Sequence, residues 1–192
     1  MVALVMLPLI AITALAIDIG HLYVVRNELQ NAADAGALAA AQSLYLEGET
    51  QVNVGANQFG YNAAIANRSE KSPVEVNWSG GNGGDVQRGH WSFGNETFTP
   101  NASTAPVDLW NVTTAELDAN LDFINAVRVI TRRESTPAAA FFARIFGYEG
   151  FGLEAEAVAY LGYAGTLTPW DVDQPIAICR ESILNGDEYS CN

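Results

Sequence analysis

Basic residues are scarce in this chain. Its 192 residues include 9 Lys and Arg against 22 Asp and Glu, which gives a formal net charge of −13 at pH 7, and Lys71 is the only lysine. Nucleic acids and anionic membrane surfaces are both bound through a basic footprint, so this balance argues against either as a partner. The acids are scattered along the chain, which is typical of a solvated acidic surface.

Cysteine and histidine are almost missing as well. Eleven residues separate Cys179 from Cys191, and this spacing fits none of the close cysteine pairs of metal or redox sites. The two could form a disulfide in an oxidising compartment, or they could be unpaired or paired elsewhere. His21 and His90 are the two histidines. With no cysteine or clustered acid beside either of them, the sequence predicts no metal site.

The motifs of common enzymes are absent too. The sequence contains no GxSxG, HExxH, P-loop or dinucleotide-binding fingerprint. A glycine cluster at residues 80–84 lies between two predicted strands, so it indicates a hairpin turn and not a phosphate-binding loop. We therefore predict no enzymatic activity and no cofactor.

Charge is also missing from the first 17 residues. From Met1 to Ile17 every residue is apolar except Pro8 and Thr13, and the first charge is Asp18. This run is too uniform for an amphipathic surface helix. About 17 to 19 helical residues reach roughly 26 to 29 Å, close to the hydrocarbon thickness of a bilayer. No basic segment precedes the run and no convincing cleavage site follows it, so it is not an ordinary signal peptide.

The helical pattern continues beyond the apolar run with a stripe of mostly small residues. The stripe follows steps of three and four and consists of Leu22, Val25, Leu29, Ala32, Gly36 and Ala40. We predict one helix over residues 1–47, with Gly48 as its C-terminal cap. A helix of roughly 70 Å is too long for the remaining head to bury, so about half of it should contact lipid, other copies or both.

The stripe has two compatible interpretations. It could be a helix-packing and assembly surface, or alanine could be frequent because it is the best helix former. Asp18, at the end of the apolar run, is interpreted either as marking the membrane boundary or as a subunit contact. It lies three residues from His21, so the two side chains could pair.

The rest of the chain predicts a small α+β head with an antiparallel sheet. The head covers residues 48–164, and an extended tail covers residues 165–192. The predicted elements of the head are a helix at residues 50–66, hairpin strands at 74–78 and 86–93, loop with short strands at 94–125, a strand at 125–133, a helix at 138–146 ended by Gly147, and a strand at 153–161.

Two segments resemble a known family. Behind the apolar run, residues 18–23 (DIGHLY) and 26–41 (RNELQNAADAGALAAA) are similar to the N-terminal signature of TadG-like proteins of bacterial Tad/Flp pilus-assembly systems. A later run is similar to the second recognisable block of that family: it extends from Val127-Arg128-Val129 through Pro137, Phe141-Phe142 and Phe146-Gly147 to residues 154–159 (EAEAVA). Two features of related proteins are missing: the DxSxS metal triplet of some family members, and the pilin-type glycine and glutamate ahead of the apolar run.

The resemblance implies a bacterial envelope or exported protein without catalytic residues. We expect a structural subunit of a pilus or extracellular filament, assembled through its N-terminal helix and located from the inner membrane to the cell surface. Its partners would be other copies and other pilus-assembly proteins. One alternative is a single-pass membrane-anchored accessory protein that does not polymerise. Another is a periplasmic or surface adhesive module with a ligand site within residues 94–125.

Overall fold

The computed structural model describes residues 2–45, 51–108 and 112–162. Residues up to Leu161 form one compact unit. A second unit, residues 162–192, lies almost wholly outside the described residues. The predicted tail and both cysteines fall there.

A single long helix, α1 (Val2–Gln42), begins the fold. It ends five residues before the predicted boundary at residue 47, because the backbone hydrogen bonds there join residues three apart and no longer four apart. The N–H groups of Ser43 and Leu44 donate to the carbonyls of Ala40 and Ala41, each at 3.1 Å. Asn53 then satisfies the carbonyls of Ser43 and Leu44, since its side-chain amide donates to the former at 2.8 Å and its backbone N–H to the latter at 2.8 Å. Gly48, the predicted cap, lies outside the described residues.

The predicted second helix is present as α2 (Ala56–Ile65). It runs antiparallel to the end of α1, since Gly36 lies against Ala64 and Ala40 lies against Gly60. A Cβ atom on Gly36 would come within 3.0 Å of both Ala64 Cβ and the Gly60 carbonyl oxygen. The two helices can approach this closely because both contribute glycine at the crossing.

The strands form a short ribbon and a four-stranded antiparallel sheet, which confirms the predicted α+β class. The sheet order is β4-β3-β5-β6. The remaining elements, in chain order, are β1 (Arg68–Ser69), β2 (Ser72–Pro73), β3 (Val86–Ser92), β4 (Thr97–Pro100), α3 (Thr114–Ala119), β5 (Ala126–Ala139), a 3-10 helix (Ala143–Phe146) and β6 (Gly150–Tyr160).

The core lies between this sheet and the second half of α1. Val127, Val129 and Thr131 of β5 are buried on the inner face, while Arg128 and Arg132 point to the other face. The inner face of β6 contributes Ala155 and Ala157. Buried residues of α1 pack on this face, namely Val25, Leu29, Ala32, Ala33, Ala37 and Ala40, and Leu44 follows just beyond the helix.

The predicted hairpin is wrong in its first strand. Residues 74–78 contain one isolated bridge, between Glu75 and Arg132 of β5. The N–H and carbonyl of Glu75 exchange hydrogen bonds with Arg132 at 3.0 and 2.8 Å, so the segment lies alongside β5 at this one antiparallel bridge. The partners of β3 are β4 and β5, with Trp91 opposite Phe98 and Val86 opposite Val129.

The predicted helix at residues 138–146 is also wrong. Ala138 and Ala139 still belong to β5, since they pair with Phe151 and Gly150 of β6. Pro137 lies where the register between β5 and β6 shifts, a position at which a strand loses nothing by lacking an N–H donor. Only the 3-10 helix remains of the expected helix, and it ends at Gly147 in the left-handed conformation (φ 89°).

Residues 94–125 contain a strand and a helix. The strand is β4, as the prediction of short strands allows, and the helix α3 was missed. Thr113 and Glu116 form a reciprocal capping box at its start. The Thr-x-x-Glu spacing was the signal for it in the sequence.

Candidate functional site

The first half of α1 exposes apolar side chains on all sides. The exposed fraction is 65% for Ile12 and 61% for Leu15. The other large apolar side chains exposed here are Val5, Met6, Leu9, Ile10 and Ile17. Thr13, the one hydroxyl among them, donates to the Leu9 carbonyl at 2.9 Å, so it adds no unsatisfied polar group. The surface therefore suits an apolar environment.

Among the described residues, α1 is the one helix long and apolar enough to cross a membrane, as judged by length and composition. Buried core helices of soluble proteins can meet the same criterion. Here, however, only 11% of the most apolar window is buried inside the protein. The half of the helix that is expected to contact lipid or other copies is therefore the first half.

The predicted stripe lies within the chain's own core. Val25, Leu29, Ala32 and Ala40 are each 0% exposed. Gly36 is buried and Leu22 is partly buried. The structure places these six residues together on the face that α1 turns toward the sheet and α2. Their use between copies stays a prediction.

Asp18 fastens α1 to the head where the apolar half ends. Its side chain is 6% exposed. The carboxylate accepts hydrogen bonds from the backbone N–H groups of Phe141 (2.9 Å), Phe142 (3.1 Å) and Ala143 (2.7 Å). Three successive N–H groups form a concave anion-binding surface, which compensates the carboxylate for the water it loses.

His21 bonds to Glu70 and not to Asp18. Its Nε2 lies 2.6 Å from Glu70 Oε1, while both oxygens of Asp18 are taken by backbone N–H groups. The other oxygen of Glu70 lies 3.2 Å from Nη2 of the buried Arg133. The His21 ring also packs edge-on against Phe141, with 4.9 Å between ring centroids. A second set of contacts thus ties the helix to the head, one turn beyond Asp18.

The loop held by Asp18 exposes large apolar side chains, which the sequence pattern does not predict. Phe141 is 54% exposed, Ile145 78%, Phe146 78% and Tyr148 61%. Residues 138–146 look in the sequence like a short apolar helix that packs inward. Phe141, Phe142, Ile145 and Phe146 follow one another at helical spacing, so the local pattern gave no signal against that interpretation.

The rest of the head offers no metal site, and its buried histidine has a structural role. Within the described residues, no group of three or more His, Cys, Asp and Glu could hold a metal ion. His90 is buried, and its two ring nitrogens each lie 2.8 Å from a carbonyl oxygen, of Phe123 and of Asp118. It therefore connects β3 to the segment around α3.

Two family models match the chain. The model of the Tad-like Flp pilus-assembly family matches residues 27–159, which run from the second half of α1 into β6. The model of the Flp pilus-assembly TadE/G-like family matches residues 1–43, which cover α1. No curated protein and no solved structure matches the chain significantly.

These matches confirm the resemblance seen in the sequence. Families of this kind are generally non-enzymatic, and their partners are other pilus-assembly proteins. With the exposed apolar half of α1, the matches indicate a membrane-anchored protein of the cell envelope. The chain belongs to the Tad-like Flp pilus-assembly family and takes part in the assembly of Tad/Flp pili.

Proposed function

We propose that this chain is a non-enzymatic structural subunit of a Tad/Flp pilus or related extracellular filament. The first half of α1 anchors it in the inner membrane before assembly and packs against other copies in the filament afterwards. The exposed apolar surface of residues 5–17 carries this proposal.

That surface needs a partner for energetic reasons. Burying a large aliphatic side chain contributes about 1.5 to 3 kcal/mol. Removing the seven exposed side chains from Val5 to Ile17 from water would therefore contribute a favourable free energy on the order of 10 kcal/mol. Lipid and a bundle of identical helices both supply it, so one surface can serve in the membrane and then in the filament.

The contacts between copies belong on this half of the helix. The small residues of the stripe, including Gly36 and Ala40, already pack against α2 and the sheet. A second copy could reach them only if the core opened. Residues 5–17 are the part of α1 that projects without cover, so we place the assembly surface there and not on the stripe.

One observation favours the non-polymerising anchor as the second candidate. Lipid requires no particular helix face, and the exposed half of α1 is apolar all round, with large side chains such as Leu9, Ile12 and Leu15. Close helix–helix contacts in membranes favour small residues instead. An accessory protein that remains in the membrane would need nothing more than this surface.

A pair of lysine substitutions tests the proposal. Ile12 and Leu38 are similarly exposed, at 65% and 57%, on the two halves of the same helix. A charge near the bilayer centre costs about 2.5 to 3.5 kcal/mol, so Ile12→Lys should lower the amount of protein in both membrane and filament. Leu38→Lys, on the half that belongs to the head, should leave its distribution unchanged.

The readout is the amount of protein in sheared surface filaments and in the washed inner-membrane fraction. A filament subunit appears in both for the unmodified chain. Finding the unmodified chain only in the membrane would contradict the subunit role and leave the anchor. Equal effects of the two substitutions would contradict the assignment of the partner surface to the first half of α1.

A further inference from the structure

An exposed apolar surface lies beside α1 at the point where the helix leaves the head. It is formed by residues 140–149, between β5 and β6, which we call the aromatic loop. Its exposed side chains are Phe141, Ile145, Phe146 and Tyr148. None of the residues of its 3-10 helix is buried, so that helix contributes nothing to the core. Exposed side chains of this size need another explanation than folding.

The loop is held at a defined position along α1. Asp18, the first charged residue after the apolar run, accepts hydrogen bonds from Phe141, Phe142 and Ala143. His21 packs against the ring of Phe141. The loop therefore lies at the level where α1 changes from apolar and exposed to packed against the head. If residues 2–17 lie in lipid, this level is the membrane surface.

We propose that the aromatic loop is a membrane-docking surface that inserts Ile145, Phe146 and Tyr148 into the interfacial layer of the bilayer. The inference rests on the proposed membrane anchoring of α1 and extends it to the head. Inserted side chains beside the helix would fix the depth of α1 and the orientation of the head.

The chemistry of the loop fits a lipid surface. Aromatic side chains are enriched at the membrane–water interface, and surface-binding segments combine them with aliphatic and basic residues. Arg144 is exposed and is the one basic residue of the loop, and Glu149 is the one acid. Ile17 and Ile19, on either side of Asp18, are also exposed, so α1 and the loop that Asp18 holds both present apolar side chains at this level.

Photocrosslinking of the full chain in vesicles tests the proposal. The photoreactive residue p-benzoylphenylalanine would replace Ile145, Phe146, Ile12 or Val54, one position at a time. The purified proteins would be reconstituted into vesicles of phosphatidylethanolamine and phosphatidylglycerol, irradiated and analysed by mass spectrometry. Val54 is a matched control, because it is 64% exposed and apolar but lies near the far end of α1, roughly 36 Å from Asp18.

We expect lipid adducts at Ile145 and Phe146 that are several-fold more abundant than at Val54, together with lipid adducts at Ile12. Adducts at Ile12 with only background levels at both loop positions would overturn the docking surface and leave the anchoring intact. Background levels at Ile12 would instead contradict the anchoring itself. Crosslinks from the loop to a second copy of the chain, in place of lipid, would overturn lipid as the occupant. Exposures of 78% at both loop positions mean that the replacements do not disturb the core.

Discussion

Asp18 is the residue on which the junction between helix and head depends most. Replacing it with asparagine keeps the shape but removes the charge and turns an NH₂ group toward backbone N–H donors. We expect Asp18→Asn to lower the melting temperature of the head by several degrees, because donors at 2.7 to 3.1 Å lose a charged acceptor. Thermal unfolding of the full chain in detergent micelles, followed by near-UV circular dichroism, measures this.

Asp34→Asn is the matched control for that substitution. Asp34 lies on the same helix but is exposed, and its one hydrogen bond is accepted from the Gln30 side chain at 3.0 Å. The asparagine oxygen can still accept that hydrogen bond, so the melting temperature of the Asp34→Asn protein should equal that of the unmodified chain. Equal melting temperatures for Asp18→Asn and the unmodified chain would show that the backbone contacts contribute nothing to stability.

The sequence could identify Asp18 as exceptional but not name its partners. A carboxylate at the end of an apolar run is visible without a structure, and so is its neighbour His21 at helical spacing. The groups that Asp18 contacts begin 123 residues later, in a loop that local patterns describe as helix. Backbone N–H groups leave no trace in residue identity, so no pattern could have found them.

At the scale of elements, the crossing of α1 and α2 depends on glycine. A Cβ atom on Gly36 would lie 3.0 Å from the Gly60 carbonyl oxygen and 3.1 Å from a methyl group of Val129. We expect Gly36→Leu to force the helix off the sheet and to destabilise the head by about 1 to 3 kcal/mol. Urea unfolding in micelles, followed by tryptophan fluorescence, measures the change.

Gly20→Leu is the control on the same helix. A Cβ atom there meets nothing within 4 Å, so the substitution should be neutral or slightly stabilising, by up to about 1 kcal/mol of helix propensity. The two substitutions also separate packing within the chain from packing between copies. If Gly36→Leu blocked filament assembly but left the unfolding curve unchanged, Gly36 would serve the contact between copies.

The elements that were predicted correctly share strong local periodicity. Helices α1 and α2 and strand β6 repeat apolar residues at regular steps, and each was found with errors only at its ends. Strand β5 was cut short because Thr136-Pro137 is a typical helix start. Its pairing with Phe151 and Gly150 of β6 decides the matter, and long-range pairing overrides local propensity.

At the scale of the whole molecule, length and composition predicted more than any motif. A helix this long attached to a head this small had to leave part of itself uncovered, and residues 5–17 are that part. Which half would be buried could not be predicted from the stripe, because small residues serve equally well against a sheet or against another helix. Only the placement of β5 and β6 under α1 decides it.

The response of the whole head to acid should depend on Glu75. Its carboxylate accepts hydrogen bonds from the N–H groups of Glu134 (3.1 Å), Ser135 (2.8 Å) and Thr136 (2.8 Å), and from the Thr136 hydroxyl (2.8 Å). Burial alone would raise the pKa of Glu75. The four hydrogen bonds outweigh it and lower the pKa from 4.5 to about 2. They connect the segment around Glu75 to the part of β5 where its register with β6 shifts.

Because the pKa of Glu75 is lower in the folded state, the unfolded chain binds its proton more readily between about pH 4.5 and 2. The stabilisation is therefore complete above pH 4.5 and is lost as the pH falls toward 2. Water screens this partly exposed group, so we expect Glu75→Gln to cost about 1 to 2 kcal/mol at neutral pH. The cost of the substitution should decrease toward zero as the pH approaches 2. Urea unfolding of both proteins across this range measures it, with the exposed Glu149→Gln as control. A cost that did not change with pH would mean that Glu75 acts through packing and not through its charge.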